Sequence, residues 1–210
     1  MLGRQTEHLM ETQLMEKKIL LAPGAFVTYE DFGRRFFEQA VTEERVAAAF
    51  AEIAGDEFVV GPMAQGPGGL ARVTAKVKIQ QPLVRRTLGD TITFAIRIPL
   101  IIELVIDLWL DKQRFVIDGD VALRATARAA EPLMIVIDVA KPRPSDIAVH
   151  VTSKSLRGEI LRILAGVDGE IKRFVAAYVT EEIDSPASQE AKLIDVSEQL
   201  RSAWDTAPGA

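Results

Sequence analysis

Cysteine is absent from all 210 residues. That removes disulfides, thiol catalysis, iron–sulfur clusters and cysteine zinc sites together. Histidine occurs only as His8 and His150, too few for a multi-histidine metal centre. Nor are cations in excess: 25 Lys and Arg stand against 30 Asp and Glu, a net charge of −5. A general binder of nucleic-acid phosphates carries the opposite imbalance, so no nucleic-acid partner is expected. Long apolar runs are missing too. The most apolar window, Ile98 to Leu110, is broken by Glu103 and Asp107, and it falls short of the ~18–20 residues of a spanning helix. Before the first turn the only apolar run is Ile19 to Ala22, with charges ahead of it, so no secretory signal is visible. The expectation is a cytoplasmic protein, peripheral to membranes at most.

What is present is enough for a core. Apolar residues make up 48% of the chain and charged residues 26%, the balance of a globular domain. Residues 1–25 are polar and read as a tail or loosely docked helix ending at Pro23-Gly24. From Thr28 to Ile53 the period is helical, with Phe32, Phe36 and Ala40 on one face and Val46, Phe50 and Ile53 on another. Thr42 followed by Glu43 and Glu44 has the form of an N-cap, which divides the segment into two helices. A loop is expected over Gly61–Gly69.

After it the period becomes two. Ala71, Val73, Ala75, Val77 and Ile79 alternate with Arg72, Thr74, Lys76 and Lys78, as in a half-buried strand. Ile92, Phe94, Ile96 and Ile98 repeat the pattern, and Pro99 predicts a break. A hairpin is expected next, with Leu110 opposite Phe115, Leu108 opposite Ile117 and Ile106 opposite Gly119 across a loop at 111–114. A slip of one residue would set apolar against polar throughout. Further strands fall at Leu133–Val139 and Ile147–Val151. The helical period returns at Ser155, in a stripe of Leu156, Ile160, Leu164, Val167, Ile171, Phe174 and Tyr178. Residues 26–184 read as one domain and 185–210 as a polar, partly amphipathic tail.

These lengths define an α+β fold: a long, strongly twisted antiparallel sheet wrapped around a long C-terminal helix, with an N-terminal amphipathic helix. The order of an amphipathic helix, a strand, the Gly-rich loop Gly61–Gly69, a meander and then VHVTSKSLRGEILRILAGVDGEIKRFVAAYV resembles one module of the tubular lipid-binding (TULIP) superfamily. That group includes the bactericidal/permeability-increasing and synaptotagmin-like mitochondrial lipid-binding domains. The resemblance implies non-enzymatic binding or carriage of a lipid in a groove between sheet and helix. Its lining is expected from Val73, Val77, Phe94, Ile96, Leu104, Ile106, Leu108, Leu123, Ile135 and Ile137 of the sheet, and from Ile160, Leu164, Val167 and Ile171 of the helix. The small inward residues Ala71, Ala75, Gly119, Ala125 and Ala127 either leave room there or are close-packed.

Chemistry is harder to assemble. In the expected hairpin Asp107 faces Asp118, with Asp120 and Glu103 nearby, a set that a divalent cation or a neighbouring arginine would relieve. An exposed sheet face offers no pocket, so neither metal nor acid–base catalysis is expected. His150 points to the polar face, and no Gly-x-Ser-x-Gly elbow occurs. Gly61–Gly69 contains prolines, which lack amide donors, and no lysine follows, so nucleotide binding is not expected. No cofactor is implied. Arg72, Lys76, Lys78, Arg85 and Arg86 form a local basic excess, either a solvated face or a docking patch for transient contact with an anionic membrane. Two alternatives stand beside lipid carriage: a helix-grip (START-like) apolar-ligand binder with shorter strands, and a ligand-free scaffold or homodimerisation module.

Overall fold

Two helices precede the sheet, and each begins on a threonine. In α1 (Tyr29–Ala40) the Thr28 hydroxyl accepts a bond from the Asp31 amide at 3.1 Å, and in α2 (Glu43–Ala51) Thr42 does the same for Arg45 at 3.3 Å. Acidic residues fill both first turns, where the helix dipole favours them. The computed structural model describes residues 26–51, 53–69, 71–108, 111–150 and 158–205, with side chains excepted at 51, 67, 158–164 and 203–205. Compactness divides the chain between Ala40 and Val41. In the first unit Phe32 and Phe36 stack with ring centres 6.5 Å apart.

The second unit is α+β, built on a strongly curled antiparallel sheet with several helices. Its strands are β1 (Glu57–Gln65), β2 (Ala71–Ile79), β3 (Leu83–Thr87), β4 (Ile92–Asp107), β5 (Lys112–Ala130), β6 (Met134–Val139), β7 (Ile147–His150) and β8 (Leu193–Asp195). The main order is β1-β2-β4-β5-β6-β8, while β3 pairs with the first part of β4 and β7 with the middle of β5. Residues 186–205, expected as a tail, form helix α4 (Pro186–Ala191), β8 and helix α5 (Val196–Asp205), and β8 pairs with β6. The loop expected at Gly61–Gly69 is shorter. Strand β1 runs on to Gln65 through an irregularity between Val60 and Met63, where Gly61 takes a φ of 104°.

The central hairpin corrects the expected register. Leu104 pairs with Phe115, Ile102 with Ile117 and Leu100 with Gly119, a slip of six residues from the expected pairing. An even slip keeps every side chain on its own face, so alternation is blind to it. The turn decides. The Leu108 amide donates to the Asp111 carbonyl at 2.8 Å, reversing the chain early and setting Asp107 against Lys112. Opposite charges replace the expected Asp107–Asp118 pair, and Asp118 faces Ile101 instead.

Pro99 also fails to break its strand. Its carbonyl accepts from the Gln80 amide at 2.9 Å, so its missing N–H faces the same side, where β2 has ended and β3 has not begun. No ladder bond is lost there.

Helix α3 (Gly158–Asp184) passes beside both β1 and β7. It thus spans the two outer strands of the arc β1-β2-β4-β5-β7. It runs antiparallel to β1, with Gly166 beside Gln65 and the Tyr178 ring stacked on Phe58 at 4.4 Å. Its buried residues include Val167, Ile171, Val175, Val179 and Ile183, a row advancing four residues at a time. The expected stripe through Phe174 and Tyr178 is therefore wrong in its second half: Phe174 is 50% exposed and Tyr178 half-buried.

The Tyr178 hydroxyl donates to Asp56 Oδ2 at 3.1 Å, tying α3 to the start of β1. Burial first, then the Asp56 carboxylate, pushes the phenol up to about 12. Since the folded value lies above the ordinary 10, neutral Tyr178 stabilises the fold below pH 10, and that contribution is lost as pH climbs towards 12. Tyr178→Phe should remove this alkaline loss. Melting temperatures of both proteins across that window check it; parallel curves would refute the linkage.

Candidate functional site

The concave face of the sheet is the candidate. From β2 to β5 its cross-strand rows are apolar: Val77–Ile102–Ile117, Ala75–Leu104–Phe115, and further along Ile96–Leu123 and Phe94–Ala125. Among the described residues, every buried side chain is apolar, and no buried polar side-chain atom lacks a partner. Most of the expected lining residues lie on this face or on the α3 side that meets the interior. Val73, Val77, Leu104 and Ile106 gather beside β1, while Phe94, Ile96, Leu123, Ile135 and Ile137 gather at the β3–β6 end. Val167 and Ile171 are buried on α3, and Leu108 is half-buried at the hairpin end. The side chains of Ile160 and Leu164 lie outside the described residues.

The expected lining left out the middle of this face, although alternation puts Ile102, Ile117 and Val121 on the apolar faces of their strands. Leu100, Ile102, Ile117 and Val121 join the two ends into one surface, and Val175 and Val179 extend it on α3. The same two-residue and four-residue periods mark them; the mistaken break at Pro99 hid the continuity.

Space on this face is limited. Val73, Ala75, Val77, Ile102, Leu104 and Ile106 have no exposed surface at all, so no water-sized gap adjoins them. The small residues are filled around as well. A Cβ on Gly119 would meet the Ala148 carbonyl oxygen at 2.8 Å and Ile102 Cδ1 at 3.3 Å. A cleft of about 390 Å³ does open at the β6 margin, where Ile137 and Ile183 are shared with the interior. Lys141 and Asp184 pair across it at 2.6 Å, and Lys192 Nζ donates to the Ile183 carbonyl at the end of α3. Burial, more than the nearby Lys141 charge, holds the Lys192 amine below its ordinary value.

The basic residues separate in space. Glu57 pairs with Lys76 at 2.5 Å and Lys78 at 3.5 Å, and Arg72 stands opposite Asp107. Lys76 holds the Glu57 carboxyl below the usual carboxylate range. Arg85 is exposed on the convex face. Arg86 is not: it lies in the row of buried Phe94, and its guanidinium donates to the Val41 carbonyl at 2.6 Å while its amide donates to Glu43 Oε1. A one-residue step along β3 reverses the face, which removes Arg86 from the expected docking set.

Asp120 on the convex face accepts from Arg97 at 2.7 Å and contacts His150 Nε2 at 3.1 Å. The Arg97 guanidinium, above all, lowers the Asp120 carboxyl. His150 thus has an acid beside it, but the trio is a polar clasp between β4, β5 and β7, with no hydroxyl nucleophile in its contacts among the described residues.

No family model and no curated protein matches the sequence. Among solved structures, the chain is similar to a crystal structure of lipopolysaccharide binding protein at 14% identity and a TM-score of 0.38. The alignment covers 74% of this chain and 39% of that one, so the likeness is a distant one of fold.

Proposed function

We propose that the second unit binds or carries a lipid or similar apolar small molecule, without chemistry, between the concave sheet and α3. The observation that carries this reading is the unbroken apolar inward side of the 16-residue β4, with an amphipathic helix on the same side of the sheet. α3 has 27 residues, roughly 40 Å at the helical rise, a cover comparable in length to an extended acyl chain and more. Displacing it along the Phe58–Tyr178 contact would open the rows to a ligand. Each methylene then buried stabilises the complex by about 0.8 kcal/mol. No helix among the described residues is long and apolar enough to cross a membrane.

A second reading, a ligand-free scaffold, is favoured by the closed packing around Val73, Val77, Leu104 and Ile106. The helix-grip alternative is disfavoured by strands of 16 and 19 residues. Native mass spectrometry of the purified protein, followed by organic extraction, separates the first two. A discrete adduct of lipid mass is expected. A clean apo mass, with no uptake from a mixed lipid extract, would overturn carriage and leave the scaffold.

A further inference from the structure

We propose that the convex face over β3, β4 and β5 docks this protein on an anionic bilayer. The row Arg85–Ala95–Arg124 crosses three adjacent strands, and all three residues are exposed. Adjacent strands lie about 4.8 Å apart, which puts the two arginine backbones roughly 10 Å from each other. Neither guanidinium has a partner among the described residues. Ala95 between them is too short to mask either head.

Two more arginines extend the face. Arg97 and Arg128 are 61% and 65% exposed, although each contacts one aspartate, Asp120 at 2.7 Å and Asp138 at 3.6 Å. These four arginines and the two aspartates they contact sum to +2 in a chain whose total is −5, while the exposed acids Glu103 and Asp118 of the same face lie further along β4 and β5, towards the hairpin turn. The basic strand β2 offers less: Glu57 pairs with both Lys76 and Lys78, Glu103 stands opposite Lys76, and Asp107 stands opposite Arg72. Leu83 stands in the row of Arg97 with 59% of its surface exposed. Guanidiniums beside a lone exposed leucine suit a surface with anionic headgroups over an apolar layer. A nucleic-acid backbone would leave the leucine unused. The choice of a bilayer rests on the lipid-carriage reading; the charge pattern does not.

Vesicle co-sedimentation of the full chain tests the surface, using phosphatidylcholine with and without phosphatidylglycerol. Binding is expected only with the anionic lipid, weakening as salt rises. R85Q/R124Q should lower the partition about 30-fold, equivalent to about 1 kcal/mol for each arginine. R85K/R124K should retain it, and K76Q/K78Q should change it little. All these residues are exposed, so circular dichroism and melting should match the unaltered protein.

Equal binding to neutral vesicles, unchanged binding by R85Q/R124Q, or retention on duplex DNA but not on vesicles would each overturn the proposal. Lipid co-purification, measured on the same proteins, keeps the two readings apart. Vesicle binding by a protein that carries no lipid upholds the surface and removes carriage. A lipid-loaded protein indifferent to the arginines does the reverse.

Discussion

Gly119→Val should lower the melting temperature by roughly 6–12 °C, the equivalent of about 3 kcal/mol in a chain of this size. Gly119 sits mid-strand on β5, between Leu100 on β4 and Val149 on β7. Its missing side chain is not spare room. A Cβ there would lie 2.8 Å from the Ala148 carbonyl oxygen, 3.3 Å from Ile102 Cδ1 and 3.7 Å from Leu100 Cβ. Ile102 can rotate, but a backbone carbonyl cannot. Among the described residues β7 pairs with β5 over four positions, with Ala148 beside Gly119, so lifting β7 would relieve the added volume. Chemical or thermal melting checks the size of the effect. Loss of the His150–Asp120 contact, seen as changed chemical shifts of the His150 ring by NMR, would place the damage at β7. A variant melting within about 2 °C of the unaltered protein would mean that the concave face has space beside Gly119, which would strengthen carriage over the scaffold.

That position shows how far residue patterns reach. Alternation identified Gly119 as inward because side-chain direction has a period of two and depends on nothing distant. Whether an inward glycine lines a cavity or admits a neighbouring backbone depends on β7, nearly thirty residues away, and no local period encodes that. The hairpin register has the same character. Slips of two, four or six residues satisfy the alternation equally, and the choice fell to a tight reversal between Leu108 and Asp111 that set Lys112 against Asp107. Pro99 shows the opposite error. A local rule about proline was applied without knowing that its amide side faces the gap between β2 and β3. The docking residues divide along the same line: Lys76 and Lys78 were read correctly as outward, but their pairing with Glu57 from β1 is a tertiary fact.

Phe94→Ala is the other substitution with a large expected effect, and it bears on the ligand directly. Phe94 is the largest fully buried side chain of the sheet. Its row contains Arg86, Ala125 and Val139, and Ala127 follows on the same strand face. Alanines cannot reach into the vacated volume, and Arg86 is held by Val41, so little relaxation is available. Truncation should therefore cost about 3–5 kcal/mol, a fall of roughly 6–20 °C. The space left would be apolar and dry, and such cavities take up benzene-sized molecules. Benzene should then raise the melting temperature of F94A and leave the unaltered protein where it was. A similar rise in both would mean that the native interior already admits an apolar guest without displacement of α3. A cost under about 1 kcal/mol would mean that Phe94 was never enclosed by its row. The three outcomes assign the concave face in turn to a packed core, to a core that already admits guests, and to the lining of an open groove.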